Sequence, residues 1–270
     1  MSYDSFAMVA LDNSRIQTLI ARLSHLSESQ VTAVESILEQ FERPFQFDRN
    51  PQSDLVSGCV LTEFGDTLRI HHCFSDQAFT KDKFEYGLER VFNFCGSSAE
   101  RWTRGNPGAD IAINGVSFSL KTQADAGIKQ SVIHISKFME LGRGIWSDKP
   151  EQLVGLRDRF LRHMEGYERI LMLRYFRTEQ DHRYELVEIP KALLREAEHG
   201  EFAMMLKSTQ FPKPGTCSVT DANEKLKFQL YFDGGTERKL QVRHIDKNLC
   251  IVHSEWKFGH EIKTAAANTL

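Results

Sequence analysis

Two residues of opposite charge frame the stretch GNPGADIAINGVSFSLKTQADAGIKQ, which runs from Gly105 to Gln130: Asp110 on one short strand and Lys121 closing the next. Metal-assisted hydrolysis of a phosphodiester needs such a pair. Hard oxygen ligands hold one or two divalent cations against the phosphate, and an ammonium orients the water or stabilises the negative transition state. The carbonyl of Leu120 can add a ligand, and Pro107-Gly108 turns the chain so that Asp110 sits at a strand entry. Such sites usually carry a second carboxylate two residues before the lysine, where this chain has Ser119. Glu85 upstream or Glu140 downstream could supply that oxygen, the latter in a segment that also carries His134 and Lys137. Taken alone, the pattern also fits an exposed hairpin with one acid and one base, and each glutamate also fits a solvated helix charge.

The surrounding elements read as follows. Asp12 to Phe41 gives two amphipathic helices, with Ile16, Leu19, Ile20 and Leu23 on one stripe and Val31, Val34, Ile37, Leu38 and Phe41 on the other. Ser27 and Gln30 have capping-box spacing between them. Pro44 to Ser57 reads as loop, Val60-Leu61 as strand, and Thr80 to Phe94 as a helix with Phe84, Leu88, Val91 and Phe92 inward. After the hairpin, SVIHISKFMELGRG reads as a helix, which would set Lys137 and Glu140 on one face. A helix over Leu153 to Tyr167 and a strand over Glu168 to Phe176 follow. A second strand then stops at Pro190, before a helix that ends at Gly200. KFQLYF and KLQVRHI flank a DGG turn as a hairpin, and CIVHSEWKF is a last strand. The expected class is α/β with a mixed central sheet flanked by helices. One domain is expected over residues 1–270: a helical part about 12–42, a core about 57–200 and a strand-rich part about 220–258.

Composition narrows the class without choosing within it. The 270 residues are 41% hydrophobic and 26% charged, ordinary for a water-soluble fold. No apolar run reaches the roughly 20 residues that a membrane span needs. The N-terminal stretch has no basic-then-apolar leader layout, so the cytoplasm is expected. Five scattered cysteines without CxxC spacing read as free or buried thiols. A net charge of −3 argues against coating nucleic acid by bulk charge, yet allows a local basic cleft.

Longer blocks carry a resemblance. FEYGLERVFN, NPGADI, FSLKTQA, IHISKFMELGRGIW, FLRHMEGYERILMLRYF, LVEIPKALL, PKPG, FQLYFDGGTERKLQ and CIVHSEW together closely resemble the type II restriction endonucleases of the PD-(D/E)xK nuclease superfamily. The likeness runs from about Leu19 to Phe258. It implies a restriction-endonuclease-like core, Mg²⁺ as cofactor, and a homodimer that cuts double-stranded DNA at a palindrome. CCCGGG, cut at its centre to blunt ends, is the implied site. By this resemblance Asp110 and Glu85 hold metal with the Leu120 carbonyl, Lys121 is the catalytic cation, and Glu140 is the other candidate acid. Where the family pattern has a glutamate two residues after the lysine, this chain has Gln123, so a metal role there is not carried over.

A G·C-rich palindrome would be read in the major groove by Arg or Lys on guanine and by acids on cytosine. The hairpin around the DGG turn offers Asp233, Glu237, Arg238, Lys239, Arg243 and His244. Arg104, Gln123, Lys137, Lys207, Ser208 and Lys213 are further DNA-contact candidates. Arg157, Arg159, Arg162 and His163 read as a solvated helix face. Two other readings share these residues: a DNA-binding protein with an inactive nuclease fold, and a related nuclease with another target.

Overall fold

Asp12 and Ser27 each begin a helix by accepting a hydrogen bond from the backbone N–H three residues on. The first helix is α1 (Asn13–Leu23) and the second α2 (Glu28–Glu42), with the Ser27/Gln30 capping box formed as expected. The computed structural model describes residues 12–102, 108–125, 127–142, 146–177 and 181–259. These divide at Arg43 and Pro44 into two compact units, the first of which is this helical pair.

The second unit runs in the order β1 (Phe45–Arg49), α3 (Gly58–Phe74), α4 (Lys81–Phe94), β2 (Ala99–Arg101), β3 (Ile111–Ile113), β4 (Val116–Gln123) and β5 (Val132–Glu140). Then come α5 (Val154–His163), β6 (Arg169–Arg177), β7 (Asp181–Glu188), α6 (Lys191–Arg195), β8 (Glu201–Met204), β9 (Gly215–Thr220), β10 (Leu226–Phe232), β11 (Lys239–Asp246) and β12 (Ile251–Gly259). Seven strands form one sheet in the order β1-β12-β7-β6-β4-β3-β2, and five form another in the order β5-β11-β10-β9-β8. The β4–β6 pair is parallel and its neighbours are antiparallel, so the larger sheet is mixed, as expected. On one face of it Phe118, Leu120, Leu171, Leu173 and Tyr184 pack with Phe64, Leu68, Phe84 and Leu88 of α3 and α4. On the other face Ile170, Met172 and Val187 pack with the smaller sheet and with Phe160 of α5.

Four expectations are corrected. The segment expected as loop contains β1, which pairs with β12 and buries Phe47. Val60 and Leu61 lie in α3, where their apolar spacing continues through Phe64 and Leu68 at helical intervals. The segment from Val132 to Glu140 is a strand, not a helix. Its register with β11 shifts between Leu240 and Val242, and the irregularity moves the buried positions from Ile133 and Ile135 to Phe138. That step of three imitates helical spacing, although the chain is paired as a ladder. The cysteines are not all free thiols: Cys59 and Cys95 form a disulfide, while Cys73, Cys217 and Cys250 are free. Cys59 lies in the first turn of α3 and Cys95 caps α4, so the turn between the two helices brings together residues whose separation in sequence gave no hint of it.

The hairpin that matters most forms as expected. Asn114 and Gly115, with φ of 50° and 83°, make a two-residue turn of the kind that suits strand twist, and set Ile111 opposite Phe118. The β10–β11 hairpin is also present. Two strands that were not foreseen, β8 and β9, extend its sheet.

Candidate active site

Strand β4 alternates. Phe118 and Leu120 enter the core shared with α3 and α4, so Ser119, Lys121 and Gln123 point to the other face. Asp110 stands just before β3, its backbone N–H bonded to the Phe118 carbonyl at 2.8 Å. Its Oδ2 accepts from the Leu120 N–H at 2.6 Å and from the Ser119 hydroxyl at 3.3 Å. N–H and C=O of one residue share an edge of an extended strand, so the Leu120 carbonyl faces the same side as Asp110. Lys121 Nζ donates to Ser119 Oγ at 2.8 Å. Ser119 thus occupies the usual place of an acid and links the lysine to the aspartate through a hydroxyl.

The second carboxylate comes from α4. Thr80 caps that helix, which makes Lys81 its first residue and puts Glu85 one turn further on the same face. Lys81 Nζ lies 2.7 Å from Asp110 Oδ1 and 3.4 Å from Glu85 Oε1. Burial raises the Glu85 carboxyl above its ordinary range, Lys81 lowers it, and the negative charge of Asp110 raises it again. Lys121 keeps some accessible surface, but its close surroundings strip its hydration and bring its pKa down to about 8, with Asp110 acting in the opposite direction.

Two residues of this centre were not among the site candidates read from the sequence. Tyr167 is buried, and its hydroxyl lies beside Ser119 without a well-formed hydrogen bond; burial, then Asp110, push its pKa up. His163, expected on a solvated face, is half-buried at the end of α5. Burial and then the Lys121 charge lower its pKa, while Asp110 raises it. No spacing rule links either residue to Asp110. Lys81 had a signal in its spacing of four from Glu85, but as a surface pair.

Glu140 lies elsewhere, which corrects its placement on a helix beside the centre. It ends β5, is 70% exposed, and accepts from Lys137 at 2.8 Å. It sits opposite Lys239, which pairs with Glu237 at 3.0 Å. The two glutamates border a cavity of about 550 Å³ whose lining includes Gly142, Phe211, Gly235 and Arg238. Asp233 caps the adjoining turn by accepting from the Gly235 N–H at 2.9 Å. Arg238 lies over Trp146, Arg243 stacks on Tyr231 at 3.4 Å, and His244 is exposed with a φ of 57°. Lys213 bonds the Ser208 carbonyl. Gln123 is buried and accepts from Arg174 Nε at 3.1 Å, so it faces the interior rather than a ligand. Arg104 and Pro107 lie outside the described residues.

The donor set suits a hard cation. Two carboxylates, a backbone carbonyl on the same edge and a loosely satisfied hydroxyl are all oxygen. Among the described residues no group of three or more His, Cys, Asp or Glu converges. A divalent cation there would take its remaining ligands from water or substrate.

Comparison with known proteins identifies the family. The family model of SmaI type II site-specific deoxyribonucleases matches residues 19–258. The type II restriction enzyme SmaI of Serratia marcescens is 50% identical over 221 residues, covering 78% of this chain and 87% of that enzyme. No solved structure matches. Among the described residues no helix is long and apolar enough to cross a membrane. With its restriction-endonuclease-like α/β core and a match across nearly its whole length, the chain belongs to the SmaI family of type II site-specific deoxyribonucleases.

Proposed function

We propose that this site-specific endonuclease is a Mg²⁺-dependent enzyme of the PD-(D/E)xK superfamily. It acts in the cytoplasm as a homodimer and cuts CCCGGG at its centre to leave blunt ends. The observation that carries the reading is the convergence of Asp110 and Glu85 on one ammonium, with Lys121 two bonds away through Ser119. Asp110, Glu85 and the Leu120 carbonyl would hold the metal, which when bound supplies Lewis-acid stabilisation of the phosphate and a more acidic water. Ser119 fixes the Lys121 ammonium beside Asp110, where it offsets the charge that grows on the phosphate oxygens. Tyr167 and His163 close the inner side of the centre and limit bulk water there.

Base reading is assigned to the β10–β11 hairpin. Arg238 borders the cavity there, and Asp233, Lys239, Arg243 and His244 of the same hairpin add both donors and acceptors, as a G·C sequence requires. Lys137 and Lys213 are assigned to phosphates. A palindrome is matched most simply by a two-fold dimer. The exposed apolar stripe of Ile16, Leu19, Ile20 and Leu23 is a surface of the kind a second copy covers.

Plasmid DNA digested with Mg²⁺ or with EDTA, followed by sequencing of the ends, tests the whole reading. Blunt ends at CCCGGG, seen only with Mg²⁺, are expected. Ends at another sequence would overturn the target, and site protection without cleavage would mark a binding protein instead.

A further inference from the structure

Lys81 lies outside the hairpin, yet it makes the closest ionic contact of the centre. One ammonium reaches both Asp110 Oδ1, at 2.7 Å, and Glu85 Oε1, at 3.4 Å. Those are the two carboxylates that a divalent cation would have to share. Neighbouring acids repel unless a positive charge lies between them. Lys121 does not fill that role, because its Nζ is turned to Ser119. Lys81 is also free to leave. It is the first residue of α4, its side chain is 41% exposed, and it borders an open groove of about 1210 Å³ together with Thr122, Asp125, Phe176 and Arg177. A long lysine stem beside open space can swing away without repacking the core.

We propose that Lys81 is an internal counter-cation that competes with the divalent metal for Asp110 and Glu85. It holds the two carboxylates together when no metal is bound, and yields to the metal by moving into the adjoining groove. The affinity for metal is thereby set lower than the two carboxylates alone would allow. This inference rests on the assignment of Asp110 and Glu85 as metal ligands, and its test separates the two ideas.

The experiment is a Mn²⁺ titration of the full chain without DNA, counting bound ion from loss of the free-ion paramagnetic resonance signal. Melting temperatures are taken in EDTA and in Mn²⁺. Lys81→Met should bind Mn²⁺ about tenfold more tightly than wild type, the scale expected for removing one half-exposed competing charge. In EDTA it should melt a few degrees lower, roughly the effect of 1 kcal/mol on a chain of this size, and Mn²⁺ should restore the difference. Lys81→Arg, which keeps the charge, should stay near wild type. Unchanged or weaker Mn²⁺ binding by a folded Lys81→Met would overturn the proposal. Undiminished binding by Asp110→Asn would overturn the metal centre itself.

Discussion

Two charged clusters adjoin β4, one through Gln123 and one through the Leu120 N–H, and they differ in how completely their groups are satisfied. In the first, Arg174 and Glu185 are fully buried. Every N–H of Arg174 is used: on Gln123, on Glu185, and on the carbonyls of Lys129, Gln130 and Val132. Glu185 in turn accepts from Arg183 and Lys247 as well. In the second cluster, Asp110 and Glu85 share one part-exposed ammonium, a lysine is pushed toward neutrality, and a tyrosine hydroxyl lacks a good partner. The contrast shows what a list of charged residues cannot. A buried ion pair that is completely hydrogen-bonded holds the fold in register, here by pinning the loop that follows β4. An incompletely satisfied cluster with solvent access is the one that can take a ligand.

The sharpest test of this contrast is Asp110→Asn. Plasmid cleavage should fall by at least about 10³-fold, while the urea midpoint stays close to wild type. Arg174→Met should do the reverse and lower unfolding stability by about 3–5 kcal/mol in urea, because it removes the fully buried partner of Glu185 and the guanidinium donors to Gln123 and to the carbonyls of Lys129, Gln130 and Val132. Should Arg174→Met be as stable as wild type yet inactive, the two clusters would have to exchange roles. Glu85→Gln should slow cleavage by about 10²-fold, or roughly 2.7 kcal/mol. Ser119→Ala should cost less than tenfold, since Asp110 keeps its Leu120 and Lys81 contacts. Equal losses from those last two changes would mean that position 119 does more than link a lysine to an acid.

A pH measurement adds a group that is satisfied only when neutral. His72 Nδ1 donates to the Ser75 carbonyl at 2.8 Å and Nε2 accepts from the Tyr184 hydroxyl at 2.7 Å. Burial first, and then the charges of His182 and His71, bring its pKa down to about 3 from 6.5. Below pH 6.5 the unfolded chain therefore binds a proton that the folded chain refuses. Stability should fall between pH 6.5 and 3, by at most about 1.4 kcal/mol per pH unit from this group. His72→Asn should flatten that part of the curve in urea titrations at pH 7 and pH 5.

Local rules read much of the chain correctly, where local physics decides. The Ser27 capping box, the Asn114-Gly115 turn, the helix from Lys81 and the β10–β11 hairpin all depend on contacts within a few residues. The strand from Val132 to Glu140 was misread because its bulge depends on pairing with β11, about a hundred residues later in the chain. In the same way, Glu140 looked like a partner for Asp110 only so long as a helix carried it. Tyr167 and His163 were missed because they reach the centre through the packing of α5 against the sheet.

By itself the sequence determined the chemical frame: an acid and a lysine on the two arms of one hairpin, and long blocks shared with a nuclease family. Both are carried by neighbours in the chain, so a linear reading reaches them. Only the tertiary structure decided which glutamate joins Asp110 and that Lys81 lies between them. Those distances are set by how α4 seats on the edge of the sheet, through burial of Phe84 and Leu88 rather than through any property of the charged residues.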